Sequence, residues 1–216
     1  MATLLSTAFY NDRTNAVRPG AAPVGRRYPP PDFPHTFMAN LLYVDNSNIW
    51  IEGMHVSAVE KGLAPDVWSA SQNKICDYDW QLDFGKLFGF AGGDESEVKK
   101  AMLFGSRPPK NDSLWVAAER QGFEVVVYDR NKSGKEKKID TDIVACMMED
   151  SYEVLVIGED EITLASGDAD YVPAIEKLKR RGIAVNVVFW DHAARELKEV
   201  ASKFVSLNQY LWLITR

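Results

Sequence analysis

The chain of 216 residues is 46% hydrophobic and contains six Trp, ten Phe and eight Tyr, enough for one sizeable core. Its net charge of −6 argues against a protein that coats nucleic acid through bulk positive charge, although a local basic groove remains compatible with it. No apolar run reaches the ~20 residues of a membrane span, so no membrane partner is expected.

The two cysteines, Cys76 and Cys146, are far apart, and neither belongs to a Cys-x-x-Cys pair. Zinc sites and disulfide frameworks are therefore not expected. A reducing compartment is the natural setting for such a chain, which predicts a cytoplasmic protein.

Residues 1–37 differ in composition from the rest of the chain. They hold six of the 10 prolines, among them Pro29, Pro30 and Pro31, together with four arginines. This composition predicts an extended arm, which could be a solvated leader or could bind RNA or a partner. Residues 38–216 are predicted to form a single domain.

Strand-like and helix-like segments alternate along that domain, beginning with an apolar run typical of a strand buried on both faces. In chain order we predict strand 41–44, helix 48–61, an unassigned segment 63–80, helix 82–90, strand 98–104, helix 112–121, strand 123–128, helix 139–150, strands 153–157 and 161–165 joined by a hairpin turn, helix 171–181, strand 183–190 and helix 192–203. Such alternation predicts a three-layer α/β/α sandwich around a mainly parallel sheet with right-handed crossovers.

Carboxylates occur where predicted strands end. Asp45 ends the first strand, Asp168 and Asp170 follow the strand at 161–165, and Asp140 begins a helix after a lysine-rich loop. Each one alone could simply cap a helix. Acids that converge at the C-terminal edge of a parallel sheet repel one another unless a cation lies between them, and oxygen ligands suit Mg²⁺ or Mn²⁺.

Three segments, at 43–48, 138–141 and 165–173, together resemble the signatures of the NYN family. These are PIN-like ribonuclease domains that include the LabA-like and limkain-type proteins. The resemblance covers roughly residues 40–208. It implies a PIN-like fold and a metal-dependent endoribonuclease, in which a carboxylate-held Mg²⁺ or Mn²⁺ and an activated water hydrolyse single-stranded RNA.

The resemblance also assigns roles to individual positions. It implies that four acids are catalytic and hold the metal, namely Asp45, Asp140, Asp168 and Asp170, and that three residues support them, namely Asn48, Ser166 and Asp142. Cys146 and Ser202 stand where many members have further acids. These departures leave open a weakly active or inactive module that binds RNA or protein.

A metal-dependent sugar-nucleotide transferase is a third reading, because an Asp-x-Asp after a strand can hold such a substrate. It would leave Asp45 and Asp140 without a role. No Gly-x-Gly-x-x-Gly pattern occurs, so a dinucleotide cofactor is not expected.

Basic residues near the acidic segments are candidates for contact with the RNA backbone. They are Arg107, Lys110, Lys135, Lys137 and Lys138. Trp50 and Tyr171 could stack bases or belong to the core. His55 and His192 form no cluster that is evident from the sequence. Apolar residues at 207–213 could pack on the core or form the contact of a homodimer.

Overall fold

The structure is a computed structural model that describes residues 39–107, 112–129 and 138–216. The predicted arm at 1–37 lies outside the described residues. At the centre is a six-stranded sheet in which all neighbouring strands pair in parallel. In the order β3-β2-β1-β4-β5-β6, its strands are β1 (Ala39–Asp45), β2 (Val98–Arg107), β3 (Glu124–Asp129), β4 (Asp160–Ala165), β5 (Ala184–Phe189) and β6 (Lys203–Ser206).

Helices cover both faces of the sheet, which confirms the predicted α/β/α sandwich. The described α-helices are α1 (Asn46–Glu60), α2 (Val67–Asn73), α3 (Phe84–Ala91), α4 (Ser113–Glu119), α5 (Ile139–Glu153), α6 (Val172–Arg180) and α7 (Arg195–Val200). Right-handed connections place α1 to α4 on one face and α5 to α7 on the other. The contacts of α1 with α2, α3 with α4, α5 with α6 and α6 with α7 agree with this arrangement.

The central strands β1 and β4 lie side by side, and the chain leaves them in opposite directions. The connections from β1 build the sheet toward β3, whereas those from β4 build it toward β6. In parallel α/β sheets, the crevice at such a point, beyond the C-terminal ends of the two strands, is where ligands bind. Every residue of β1 and β4 is buried, because helices pack on both faces.

The predicted strand at 153–157 is wrong, and so is its hairpin. Helix α5 continues to Glu153, and the chain then turns, with the Asp160 amide donating to the Val156 carbonyl oxygen at 2.9 Å. The Asp160 carboxylate accepts from the Val156 amide at 2.7 Å and pairs with Lys99. Leu155 is buried, but Val156 and Ile157 are exposed, so the segment lacks the burial on both faces that a parallel strand would have.

The predicted helix at 192–203 is shorter than expected. Helix α7 ends at Val200, and β6 follows as an edge strand that was not predicted. The Ser202 amide donates to the Val185 carbonyl oxygen at 2.7 Å, which starts the pairing with β5. Pairing with a strand distant in sequence therefore overrides the local preference for helix.

The C-terminal apolar segment divides into two parts. Leu207, Tyr210 and Leu211 are buried in the core, whereas Trp212 and Leu213 are 59% and 43% exposed. The buried residues pack on the core, which was one of the two predicted roles of this segment. A homodimer contact through the exposed Trp212 and Leu213 stays a prediction. In the part of the chain that is described, no helix combines the length and apolarity needed to cross a membrane.

Candidate metal centre

Asp45 lies at the C-terminal end of β1 and caps the helix that follows. Its Oδ1 accepts a hydrogen bond from the Asn48 amide at 3.1 Å. This satisfies one of the free amides of the first turn of α1, as an N-cap does. Because the side chain is only 6% exposed, its carboxylate lies beneath the crevice and not on its surface.

Asn48 joins the end of β1 to the end of β4. Its Oδ1 accepts from the Gly167 amide at 2.9 Å and from the Ser166 hydroxyl at 3.2 Å. A Cβ at Gly167 would lie 2.0 Å from the ring of Phe189, so only glycine fits where the chain leaves β4. Asn48 and Ser166 therefore fix the loop that carries Asp168 and Asp170.

Three of the four predicted acids come together above this loop. Asp140, Asp168 and Asp170 each offer a carboxylate oxygen, and these oxygens all lie within 4.8 Å of one another. We call these residues the acidic triad. Asp140 lies in the first turn of α5, whereas Asp168 caps a short 3-10 helix (Ala169–Tyr171) that contains Asp170, with the Asp170 amide donating to Asp168 at 3.1 Å. Asp45 is not a member of this close group.

Tyr171 connects the acidic triad to the core. Its side chain is fully buried, and its hydroxyl donates to Asp140 Oδ1 at 2.9 Å. Burial raises the pKa of the Tyr171 hydroxyl, and the charges of Asp45 and Asp140 raise it further. The hydroxyl therefore stays protonated and remains a donor to Asp140. Since the ring is buried, Tyr171 belongs to the core, which was one of its two predicted roles, and does not stack bases.

The chemistry of these donors fits a hard divalent cation. Three carboxylates this close repel one another, and a cation between them relieves the repulsion. Next to Asp45, the Oδ1 atom of Asn46 is buried and has no hydrogen-bond partner among the described residues. An oxygen-only set with room for water is the kind that Mg²⁺ and Mn²⁺ prefer, and in this chain Asp140, Asp168 and Asp170 would hold the ion.

Asp142, predicted to support the metal, lies elsewhere on α5. Its carboxylate accepts a hydrogen bond from the hydroxyl of Tyr128 on β3, and this bond raises the pKa of Tyr128 to about 12. Asp142 therefore ties α5 to the sheet. It does not belong to the acidic triad.

The two departures from the family pattern also lie away from the acidic triad. Cys146 is six residues beyond Asp140, or ~9 Å along the helix axis. Burial raises the pKa of its thiol, and the charge of Asp142 raises it further. Ser202 lies just before β6, at the opposite end of the sheet from the crevice, where its hydroxyl accepts from the Val185 amide at 3.0 Å.

Two of the five predicted RNA-binding residues belong to the described part of the chain. Lys138 is exposed and directly precedes α5 and Asp140. Arg107 is the last residue of β2, at the same edge of the sheet as Asp45. Lys110, Lys135 and Lys137 lie outside the described residues.

A cluster of two histidines and a glutamate was missed from the sequence. Glu52 Oε2 accepts from His55 at 3.1 Å and from His192 at 2.7 Å. Burial opposes ionisation of Glu52, but the two histidine hydrogen bonds outweigh it, so the pKa of Glu52 is lowered. Glu52 and His55 are three residues apart on one helix, so their proximity could have been predicted from the sequence. His192 is 140 residues away from Glu52, so no local spacing indicates that contact.

Taken together, the fold and the acidic triad define a parallel α/β domain with an acidic site at the crevice between its two central strands. The model of the NYN domain matches residues 47–208, most of the chain. The chain belongs to the NYN domain family, which lies within the PIN-like nuclease superfamily.

One solved structure supports the fold independently. It is a protein of unknown function from Vibrio parahaemolyticus, which is 19% identical and superposes with a TM-score of 0.57. The match covers 80% of this chain and 94% of that chain. No curated protein matches the sequence.

Proposed function

We propose that the protein is a metal-dependent endoribonuclease that hydrolyses phosphodiester bonds of single-stranded RNA. The observation that carries this proposal is the acidic triad of Asp140, Asp168 and Asp170 at the crevice of a domain of nuclease ancestry. The cofactor proposed is Mg²⁺ or Mn²⁺.

When bound, such an ion lowers the pKa of a water molecule and neutralises charge that develops on the phosphodiester. The protein's own residues would prepare the site for it. Asp168 and Asp170 are exposed and face the substrate side, while Tyr171 holds Asp140 in one orientation. Asn48 keeps the loop between β4 and the acidic triad in place through two hydrogen bonds.

The alternative proposal is an NYN module that binds RNA or protein with little or no catalysis. Cys146 and Ser202, which stand where many members carry acids, favour this alternative. Both residues lie away from the acidic triad, and each already makes contacts of its own. The acids that do converge support the enzyme over this alternative.

A cleavage assay on single-stranded RNA with Asp168→Asn tests the proposal. We expect the wild-type protein to cleave RNA in Mg²⁺ or Mn²⁺ and to stop in EDTA. Asp168→Asn removes one charge from the acidic triad without changing its volume, so the rate should fall on the order of a hundredfold or more. Circular dichroism and the melting temperature should stay close to those of the wild type.

Asp94→Asn is the matched control. Asp94 is also exposed, but it makes no side-chain cap and lies outside the acidic triad. This variant should cleave RNA at the wild-type rate. Undiminished cleavage by Asp168→Asn, or cleavage that survives EDTA, would overturn the proposal. RNA binding without any cleavage by the wild-type protein would favour the binding module.

A further inference from the structure

A groove lies between α1 and α4, on the face of the sheet that these two helices cover. Its volume is about 850 Å³, and its lining includes Trp50 of α1 and Trp115 of α4. Trp50 is five residues beyond Asp45, or ~7.5 Å along the helix axis. Helix α4 follows β2, whose C-terminal end is paired with that of β1. A chain that leaves the crevice on this face therefore meets the groove.

The groove is lined by aromatic rings. Phe84 and Trp115 are buried and form its floor, together with Trp80. Trp50 is half-buried, and Tyr78 is 78% exposed, so both present ring surface to a ligand. Flat aromatic surfaces of this kind stack nucleobases irrespective of their sequence.

An unsatisfied donor lies in the same groove. The indole nitrogen of Trp115 is buried and has no hydrogen-bond partner in the described part of the chain. The ring itself is held against β2, because a Cβ at Gly105 would lie 2.4 Å from it. Buried donors are almost always paired, so an N–H without a partner is unusual in a side chain that lines a groove.

The charged residues that line the groove favour an anion. Arg120 and Arg216 are both exposed and line the groove, and neither forms an ion pair with a described residue. Asp83 is the one lining residue with an acidic side chain, and its carboxylate accepts from the Lys86 amide and caps α3. Two free guanidinium groups beside aromatic rings match the phosphates and bases of one strand.

We propose that this groove binds unpaired nucleotides of single-stranded RNA adjacent to the bond that is cut, a proposal that rests on the ribonuclease function above. Helix α4 is ~10 Å long, the length of roughly three stacked nucleotides at ~3.4 Å each. Duplex RNA does not fit this chemistry, because the faces of its bases are already stacked.

The charges also weigh against the chain's own proline-rich segment as the occupant. Proline-rich segments do bind aromatic grooves. However, Pro29, Pro30 and Pro31 directly follow the sequence Arg26-Arg27-Tyr28, and those arginines would face the arginines of the groove. RNA is the occupant with complementary charge.

Binding of a labelled single-stranded RNA oligonucleotide to the full chain carrying Asp168→Asn, which is expected to cleave RNA slowly, tests this proposal. Adding Tyr78→Ser removes a stacking surface and should raise Kd about fivefold to a hundredfold. Adding Arg120→Gln should weaken binding and reduce the slope of log Kd against log salt by about 0.7. Both residues are exposed, so the melting temperature should not change.

Tyr152→Ser and Arg195→Gln are the matched controls. Tyr152 and the Arg195 side chain are 69% and 89% exposed and lie on the opposite face of the sheet, so neither variant should alter Kd. If Tyr78→Ser and Arg120→Gln both leave Kd unchanged, the proposal that the groove binds RNA is overturned, even if the groove binds another ligand. Equally tight binding of duplex RNA would also overturn it.

The two proposals can fail separately. If the wild-type protein binds RNA through Tyr78 and Arg120 but never cleaves it, RNA binding by the groove is supported and the ribonuclease function is overturned. If the wild-type protein cleaves RNA but these substitutions leave Kd unchanged, the ribonuclease function is supported and RNA binding by the groove is overturned.

Discussion

At the scale of single residues, the hydroxyl group of Tyr171 determines how Asp140 is presented. Tyr171 is immobilised by the core, and its hydroxyl donates to Asp140 Oδ1 at 2.9 Å. A carboxylate that accepts such a bond is oriented before an ion arrives, and losing a partner of this kind commonly costs 10- to 100-fold in metal affinity. Tyr171 is therefore a positioning residue for the acidic triad.

Tyr171→Phe tests this role by removing only the hydroxyl group. We expect the Kd for Mn²⁺, measured by calorimetric titration, to rise about tenfold or more. Tyr128→Phe is the matched control, because the Tyr128 hydroxyl also donates to an aspartate of α5, namely Asp142, but outside the acidic triad. It should leave the Mn²⁺ affinity unchanged. Equal loss of affinity in the two variants would show a general effect on α5 and contradict the assignment.

At the scale of elements, helix α1 approaches the core through a glycine. A Cβ at Gly53 would lie 2.4 Å from the ring of Trp80 and 2.8 Å from that of Trp190. Both indoles are buried, and the Trp190 N–H donates to the Ile49 carbonyl oxygen at 3.0 Å. The glycine thus lets two large rings pack against α1, the helix that carries Asn48 toward β4.

Gly53→Ala should therefore destabilise the protein although alanine favours helix. Overpacking in a core costs about 1–3 kcal/mol, which exceeds the ~1 kcal/mol gained in helix propensity. Gly89→Ala in α3 is the matched control, because nothing lies within 4 Å of its Cβ. It should raise the free energy of unfolding by about 0.5–1 kcal/mol, measured by urea denaturation. A shift of the same sign in both variants would contradict the packing described for α1.

Element prediction succeeded where burial on both faces imposed a pattern. The apolar residues before Asp45 and before Ser166 fit a parallel strand, and acids at their C-terminal ends meet because parallel strands end at one edge. The prediction of elements failed where contacts with other segments determine the local structure. The segment at 153–157 contains the last residue of α5 and the turn that follows it, and Lys203–Ser206 becomes a strand only because β5 is beside it.

At the scale of the whole molecule, side-chain hydrogen bonds join segments that are far apart in the sequence. Tyr171 bonds to Asp140 and Glu52 bonds to His192, and these partners are 31 and 140 residues apart. No periodicity or local spacing reports such pairs, so the sequence indicated the acids of the site but not the residues that hold them.

The Glu52 cluster predicts how the stability of the domain depends on pH. Because its pKa in the folded protein is lowered from the ordinary value of 4.5, ionised Glu52 stabilises the fold above about pH 5. This contribution is lost as the pH falls through the lowered pKa. Glu52→Gln should therefore reduce the free energy of unfolding by about 1–3 kcal/mol near pH 6, and its difference from the wild type should shrink in more acidic solution.

Urea denaturation across this pH range provides the measurement. Glu60→Gln is the matched control, since Glu60 is exposed at the end of the same helix. It should change stability little at any pH. A difference between wild type and Glu52→Gln that grows as the pH falls would have the wrong sign and contradict the account.

The most direct test of the central claim is the position of a bound ion. A crystal of the protein soaked in Mn²⁺ should give an anomalous peak between the carboxylates of Asp140, Asp168 and Asp170, which lie within 4.8 Å of one another. The same soak of Asp168→Asn should weaken or abolish the peak. Absence of a peak in the wild-type crystal, or a peak at carboxylates outside the acidic triad, would contradict the proposed metal site.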